Sequence, residues 1–208
     1  MNVPCSVLCV SHTTGSDGDE IGRRVAEQLG FLYVDEDIVA KAAAQGGLDP
    51  GDVADEERRK TYATRILEAL AKGGGDTLLL AATAGMEVLS PADIRALIRE
   101  TVVQTAARGN VVIVAHAAAH AIEPGPRTLR VLVTASTATR TRRVAGAEQV
   151  DEGKAARTIK DSDAGRRDYL KRFYSVDSES PTDYDLVINT DVLSAEQAAE
   201  IIVRAADR

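Results

Sequence analysis

Short apolar runs alternate with helical patterns along most of this chain. Five runs have the length of strands, and they cover residues 7–10, 31–34, 111–115, 129–133 and 186–188. Central strands of a parallel sheet read as continuous apolar runs because both of their faces are covered, and VVIV at 111–114 is the clearest case. Strands that alternate with helices are typical of α/β proteins. The pattern therefore predicts an α/β fold with a parallel sheet.

Two of the helical patterns have clear end signals. Ser90 and Pro91 open a helix whose apolar positions fall on one face, and Gly109 with the residue after it ends that helix. Ser194 opens the last helix, with Gln197 three residues later as in a capping box. Both segments are therefore predicted as amphipathic helices that pack on the sheet.

The length of 208 residues suits a single domain. Residues 50–86 differ from the rest of the chain: they hold a charged run at 52–60, a helical stretch and three consecutive glycines at 73–75. We expect this segment to be an insertion between the second and third strands.

The charge is unevenly distributed. The net charge is −7, but residues 127–172 carry 12 Lys/Arg against 6 Asp/Glu. A local basic segment in an acidic protein favours a small anionic ligand and argues against general nucleic-acid binding.

The spacing of the two cysteines and the length of the apolar runs indicate where in the cell the protein is expected to be. Cys5 and Cys9 lie four residues apart in one predicted strand, which places their Cα atoms about 13 Å apart and excludes a disulfide between them. Pro4 and the polar stretch 11–19 interrupt any apolar segment of the kind found in a signal peptide. The apolar stretches near 78–89 and 111–122 are too short to span a bilayer. We expect a cytoplasmic protein without membrane contact.

A glycine loop lies between the first strand and the first helix. It reads GSDGDE at 15–20, and the lysine and hydroxyl of the G-x-x-x-x-G-K-[ST] phosphate loop are absent. Backbone N–H groups at a helix N-terminus can still bind phosphate. The alternative is a loop that only joins strand to helix, with Asp17, Asp19 and Glu20 favoured by the helix dipole.

Several motifs occur in a fixed order over nearly the whole chain. They are GSDGDEI at 15–21, AEQLG at 26–30, FLYVD at 31–35, IVAHAA at 113–118, D-x-x-R-x-x-Y at 163–169, RFYSVD at 172–177 and P-x-x-YDLVINT at 181–190. In this order and spacing the chain resembles the cytidylate-kinase-like branch of the P-loop nucleoside monophosphate kinases. The resemblance implies one three-layer P-loop kinase-like domain over 1–208, with a five-stranded parallel sheet flanked by helices. It also implies a helical acceptor-binding insertion at about 50–88, and a lid with its following helix at about 136–175.

The resemblance further implies a reaction, the Mg²⁺-dependent transfer of the γ-phosphoryl group of ATP to a nucleoside monophosphate. The residues that would carry it follow by position. The ATP phosphates would meet Thr14, Gly15, Ser16, Asp17, Gly18, Asp19 and Glu20. The catalytic residues would be Asp35, Arg140, Arg143 and Arg166. The acceptor would contact Lys41, His116, Asp163 and Arg166. The Mg²⁺ ion would be held by Glu20 and Asp35.

Each of these assignments has a simpler alternative from the residues alone. Asp35 also suits a helix cap, Lys41 a solvated helix position, and Asp163 with Arg166 an ordinary ion pair three residues apart. Arg140, Arg142 and Arg143 cannot all point one way on a helix, so one or two of them could face a phosphate while the others face solvent. The histidines at 116 and 120 lack a third metal ligand at a suitable spacing.

Two functions therefore remain open from the sequence. The first is an ATP-dependent kinase of a nucleoside monophosphate or a similar small acceptor. The second is a catalytically silent protein of the same fold that binds a nucleotide or another small anion and acts in regulation or assembly. The alanine-rich C-terminal helix would suit a homodimer as well as the core.

Overall fold

The strands form one five-stranded sheet. The structure, a computed structural model, describes residues 5–35, 91–115 and 117–207, with only the backbone described for 91–98. The strands are β1 (Val7–His12), β2 (Leu32–Asp35), β3 (Val111–Val114), β4 (Thr128–Thr134) and β5 (Leu186–Asn189). They lie in the order β2-β3-β1-β4-β5, and β1 pairs in parallel with both β3 and β4. The prediction of a parallel α/β sheet is confirmed.

Helices connect the strands in the described part of the chain. They are α1 (Gly18–Leu29), α2 (Pro91–Arg108), α3 (Ala118–Ala121), α4 (Thr137–Glu148), α5 (Glu152–Tyr174) and α6 (Ala195–Ala206), with a 3₁₀ turn at Pro181–Asp183. The segment expected to form the lid and its following helix thus contains α4 and α5. The insertion expected at about 50–88 lies outside the described residues.

The chain divides into two compact units, residues 1–33 with 108–208 and residues 34–107. The core of the first unit lies between the sheet and helices α1 and α6. Leu8, Ile21, Val25 and Ile202 are completely buried there. Gly22 of α1 lies so close to β3 that a Cβ atom would come within 2.3 Å of the Val114 side chain. The missing side chain is therefore what allows this helix to approach the strand.

Local signals in the sequence set the helix ends. Ser194 accepts a hydrogen bond from the Gln197 N–H and its own N–H donates to the Gln197 side chain, which confirms the predicted capping box. Helix α2 ends at Arg108, followed by Gly109 and Asn110 with φ of 72° and 51°. The predicted cap of α2, Ser90, lies outside the described residues.

Cys5 and Cys9 form no disulfide with each other, as their spacing predicts, and both are buried. Among the helices of the described ranges, none combines the length and the apolar character needed to cross a bilayer.

Candidate functional site

The loop between β1 and α1 lies at the carboxyl ends of three strands. Thr13 follows β1 and donates its N–H to Val133 O in β4, and Thr190, just after β5, donates its hydroxyl to Ser16 O. The Ser16 hydroxyl donates to Thr13 O and Val133 O, at 2.7 Å and 3.1 Å. Ligands of open α/β sheets gather at this edge. The sheet therefore holds the loop in the position where such folds bind ligands.

Most amides of this loop remain open. Within the part of the chain that the structure describes, six backbone N–H groups between positions 14 and 20 have no hydrogen-bond acceptor. They belong to Thr14, Gly15, Asp17, Gly18, Asp19 and Glu20. Asp17 has a left-handed backbone (φ 64°, ψ 24°) immediately before the first turn of α1, and its side chain makes no capping hydrogen bond. Successive N–H groups around a left-handed residue form an anion-binding concavity.

Arg140 reaches this loop from α4. Its guanidinium donates to Thr14 O at 3.3 Å and makes two bonds to the Asp163 carboxylate, at 2.9 Å and 2.6 Å. Gly15, with φ of 80°, lies against the Arg140 backbone, where a Cβ atom would come within 2.9 Å of the Arg140 carbonyl oxygen. The Arg140 side chain is only 5% exposed, so it is a fixed part of the loop wall.

Arg143 lies one turn further along α4 and contacts the other half of the loop. It donates to Gly15 O at 3.3 Å, to the Thr190 hydroxyl at 3.0 Å and to Thr190 O at 2.7 Å. One carboxylate oxygen of Asp17 lies 3.1 Å from the same guanidinium. Arg142, between the two arginines, is exposed. Spacing of three residues on one helix thus brings Arg140 and Arg143 to the loop while their neighbour faces solvent.

Arg166 of α5 holds the end of β1. It donates to His12 O at 3.2 Å and makes two bonds to the Glu179 carboxylate, at 2.7 Å and 2.6 Å. The Tyr184 hydroxyl also donates to Glu179, and His120 lies beside both groups. Burial raises the pKa of the Glu179 carboxyl, but the hydrogen bonds and the charge of Arg166 outweigh it and hold that pKa well below its usual range. Burial and the neighbouring carboxylate raise the pKa of Tyr184.

This arrangement corrects one alternative from the sequence. Asp163 and Arg166 were open to interpretation as an ion pair three residues apart, but Asp163 pairs with Arg140 and Arg166 pairs with Glu179. The pairing with Glu179 had no signal in the sequence beyond the presence of an acid near the 3₁₀ turn.

The three arginines meet three carboxylates, so their charge is locally balanced. Arg140, Arg143 and Arg166 each have one acidic partner within 3.1 Å. Two further acids of the loop lie at the surface: Asp19, 3.6 Å from the nearest nitrogen of His12, and Glu20, which pairs with Arg24. The site therefore combines open amides with arginines that are already engaged.

Most of the predicted site residues come together in the first unit. Residues 14–20, Arg140, Arg143, Asp163 and Arg166 all lie around the loop. Asp35 ends β2 and is half-buried in the second unit. Lys41 and His116 lie outside the described residues. No cluster of three or more metal-ligating side chains occurs within the described ranges, and the assignment of Mg²⁺ to Glu20 and Asp35 stays a prediction.

Sequence reasoning did not identify four groups that shape the loop. Thr190 and Glu179 hold the arginines, Ser162 contacts the Thr14 hydroxyl at 2.6 Å, and His12 packs against Gly18. These contacts join residues up to 174 positions apart, as between Ser16 and Thr190. Periodicity and spacing carry no information on such pairs.

Comparisons with known proteins agree with this architecture. A family model described as the cytidylate kinase-like family matches residues 7–192. No curated protein matches the sequence.

Solved structures are similar over nearly the full length. An uncharacterized protein from Eubacterium ventriosum has a TM-score of 0.65 at 17% identity, and covers 97% of this chain and 98% of its own. A shikimate kinase from Bacteroides thetaiotaomicron has a TM-score of 0.56 at 14% identity, with 98% and 99% covered. At these identities the likeness establishes the fold, that of the P-loop kinases.

Proposed function

Because the chain belongs to the cytidylate kinase-like family, we propose that it transfers a phosphoryl group from ATP to a small acceptor, with a nucleoside monophosphate as the first candidate. The observation that carries the proposal is the row of six open N–H groups at positions 14–20, beside two arginines that reach the same loop. Phosphoryl transfer depends mainly on positioning and on charge neutralisation, and backbone amides with arginines supply both.

Each part of the loop has a role in this proposal. The open amides donate hydrogen bonds to the phosphate oxygens of ATP, which take the place of the water that otherwise solvates these N–H groups. Arg143 is the more accessible of the two loop arginines, with 28% of its side chain exposed against 5% for Arg140. It is therefore the cation that contacts the nucleotide, and Arg140 fixes the loop from behind.

Arg166 acts through the backbone in this arrangement. It is 5% exposed and engaged by Glu179, and it holds the His12 carbonyl at the end of β1. The direct contact with the acceptor that the family resemblance implies would require Arg166 to leave that carboxylate, and it stays a prediction together with the roles of Asp163, Lys41 and His116.

The loop acids fit a hard divalent cation. Mg²⁺ takes oxygen ligands, keeps several waters and binds one or two carboxylates together with substrate phosphates. The Asp19 and Glu20 carboxylates are 55% and 56% exposed at the start of α1, beside the open amides, and they offer such oxygens. The cation would neutralise phosphate charge that no loop lysine meets here. The Ser16 hydroxyl is completely buried and faces the carbonyl groups of Thr13 and Val133, so its oxygen is not presented to a cation beside Asp19 and Glu20.

A second candidate is a catalytically silent protein that binds a nucleotide or another small anion. The pairing of all three arginines with carboxylates favours it, because guanidinium groups held by Asp17 and Asp163 neutralise little charge on a transferring phosphoryl group, whereas the open amides can still bind an anion.

Calorimetric titration with ATP, with and without Mg²⁺, and with CMP and other monophosphates tests both candidates. Mg²⁺-dependent ATP binding, followed by ADP formation with one of the monophosphates, is the result expected of a kinase. Binding of a monophosphate without ATP would instead support the silent protein. Binding of neither ATP nor a monophosphate would refute the kinase and would leave the silent protein only as a binder of another anion, which titration with inorganic phosphate then tests.

A matched pair of variants shows whether binding occurs at this loop. Arg143→Ala should weaken ATP binding by about tenfold to a hundredfold, since a hydrogen bond to a charged group is worth about 1.5–3 kcal/mol. Arg172→Ala removes an exposed arginine whose partner among the described residues is Asp168, four residues away, and it should leave the affinity unchanged. Equal effects of both variants would place the nucleotide elsewhere.

A further inference from the structure

Thr190 is the buried residue that connects the end of β5 to both the loop and Arg143. It is 1% exposed, and its hydroxyl takes part in three contacts. The hydroxyl accepts from Arg143 at 3.0 Å and lies 3.1 Å from Ser16 O and 3.3 Å from Thr134 O. A hydroxyl has one proton to donate and lone pairs to accept with, so this geometry uses its donor and its acceptor together.

The Thr190 backbone adds a second contact to the same guanidinium. Its carbonyl accepts from the other terminal nitrogen of Arg143 at 2.7 Å. Two acceptors on one residue fix both the position and the plane of the guanidinium. The Arg143 guanidinium also contacts Gly15 O and the Asp17 carboxylate, so its positive charge lies directly against the loop.

We propose that Thr190 is a positioning residue that holds Arg143 against the phosphate loop, so that Arg143 supplies the positive charge that the loop sequence lacks. The inference rests on the proposed function, because it assigns the source of charge for nucleotide binding at that loop. Asp17 competes with the nucleotide for this guanidinium, and Thr190 keeps Arg143 in place when the carboxylate is displaced.

The test measures ATP affinity by calorimetry in a set of threonine variants. Thr190→Val removes the hydroxyl at nearly constant shape and should raise the Kd for ATP by about tenfold. Thr190→Ser keeps the hydroxyl and should restore the affinity to within about threefold of the wild type. The matched control is Thr105→Val, which removes a buried hydroxyl without a hydrogen-bond partner among the described residues and should leave the Kd unchanged.

A double-mutant cycle with Arg143→Lys separates positioning from general destabilisation. If Thr190 acts through Arg143, Thr190→Val should have little further effect on the Kd once Arg143 is replaced. Additive effects of the two substitutions, or equal affinities of Thr190→Val and Thr105→Val, would overturn the inference while the proposed function stood.

A ligand-free measurement tests the positioning step independently of ATP. In protein labelled with ¹⁵N-arginine, the guanidinium N–H signals of Arg143 should show hindered rotation in the wild type and in Thr190→Ser, and faster rotation in Thr190→Val. Unchanged rotation in Thr190→Val would refute positioning by Thr190. Absence of any ATP binding by the wild type would refute the proposed function and the charge-supplying role of Arg143 together, whatever rotation rate the Arg143 guanidinium shows.

Discussion

Replacement of Asp17 should separate the affinity of the loop from the stability of the fold. Asp17 has a left-handed backbone, with φ of 64° and ψ of 24°, and its carboxylate lies 3.1 Å from Arg143. Asp17→Gly removes both the strain and the charge. Asp17→Asn removes only the charge, because asparagine also tolerates the left-handed region.

The expected change in the free energy of unfolding is small because opposing contributions nearly cancel. The left-handed conformation costs a residue other than glycine about 1–2 kcal/mol, and glycine relieves that cost but loses about 0.5–1 kcal/mol through chain entropy. The ion pair that is lost has side chains 36% and 28% exposed, and such pairs contribute about 0–1 kcal/mol. We expect Asp17→Gly to lie within about 1 kcal/mol of the wild type in urea unfolding.

The affinity for ATP should change much more. Without the carboxylate, the Arg143 guanidinium can bond to the nucleotide alone, and a charge-assisted bond of about 1.5–3 kcal/mol corresponds to a tenfold to hundredfold lower Kd. Both Asp17 variants should show this gain in calorimetry. Asp168→Asn, which removes an exposed carboxylate from Arg172, serves as the control without effect. An unchanged Kd in Asp17→Asn, or a loss of stability above about 2 kcal/mol in Asp17→Gly, would refute the reasoning.

Three further predictions concern the rest of the described chain. Glu179→Gln should lower the free energy of unfolding by about 3 kcal/mol at neutral pH, because it leaves Arg166 buried without its carboxylate. Since the folded-state pKa of Glu179 is depressed, the loss of stability relative to the wild type in urea unfolding should be complete above about pH 4.3 and should shrink as the pH falls below that value. A loss that stays constant with pH would contradict the pairing. Gly22→Ala should destabilise the protein by about 1–3 kcal/mol, since the new Cβ atom would lie 2.3 Å from the Val114 side chain of β3. Gly146→Ala, which has open space at its Cβ atom, should stabilise α4 by about 0.5–1 kcal/mol. The thermal unfolding temperatures of the two variants should therefore shift in opposite directions. Burial raises the pKa of the Cys9 thiol to about 12, so an aromatic disulfide reagent at about pH 8 should label this thiol only after urea is added, and fast labelling of the native protein would show that β1 is accessible.

Local chemistry made the elements predictable. The strand at 111–114 could be identified because it is apolar on both faces, and the last helix because Ser194 and Gln197 satisfy the free N–H groups of its first turn. The loop before α1 could be placed because a glycine-rich segment followed an apolar run. These signals act within a few residues of each other, so a sequence contains all of them.

The pairings at the site follow from tertiary structure and could not be predicted in the same way. The sequence offers Asp163 a partner three residues away, Arg166, and only the packing of α5 on α4 decides that Asp163 instead meets Arg140. Thr190 lies 47 positions from Arg143, and no spacing rule links a strand end to a helix face. The charge balance of the loop therefore emerged only from the structure, although each of its residues was visible in the sequence.

The central place of β1 has a consequence for synthesis of the protein on the ribosome. Val7 and Leu8 pair with Val111 and Val112 on one side, and with Thr128 and Leu129 on the other. At about 5–20 residues per second, the ribosome needs roughly 5–20 s to add the hundred or so residues that separate these partners. During that interval β1 has neither of these two sheet neighbours, and the loop that follows it can acquire its shape only after Arg143 and Thr190 have also been added.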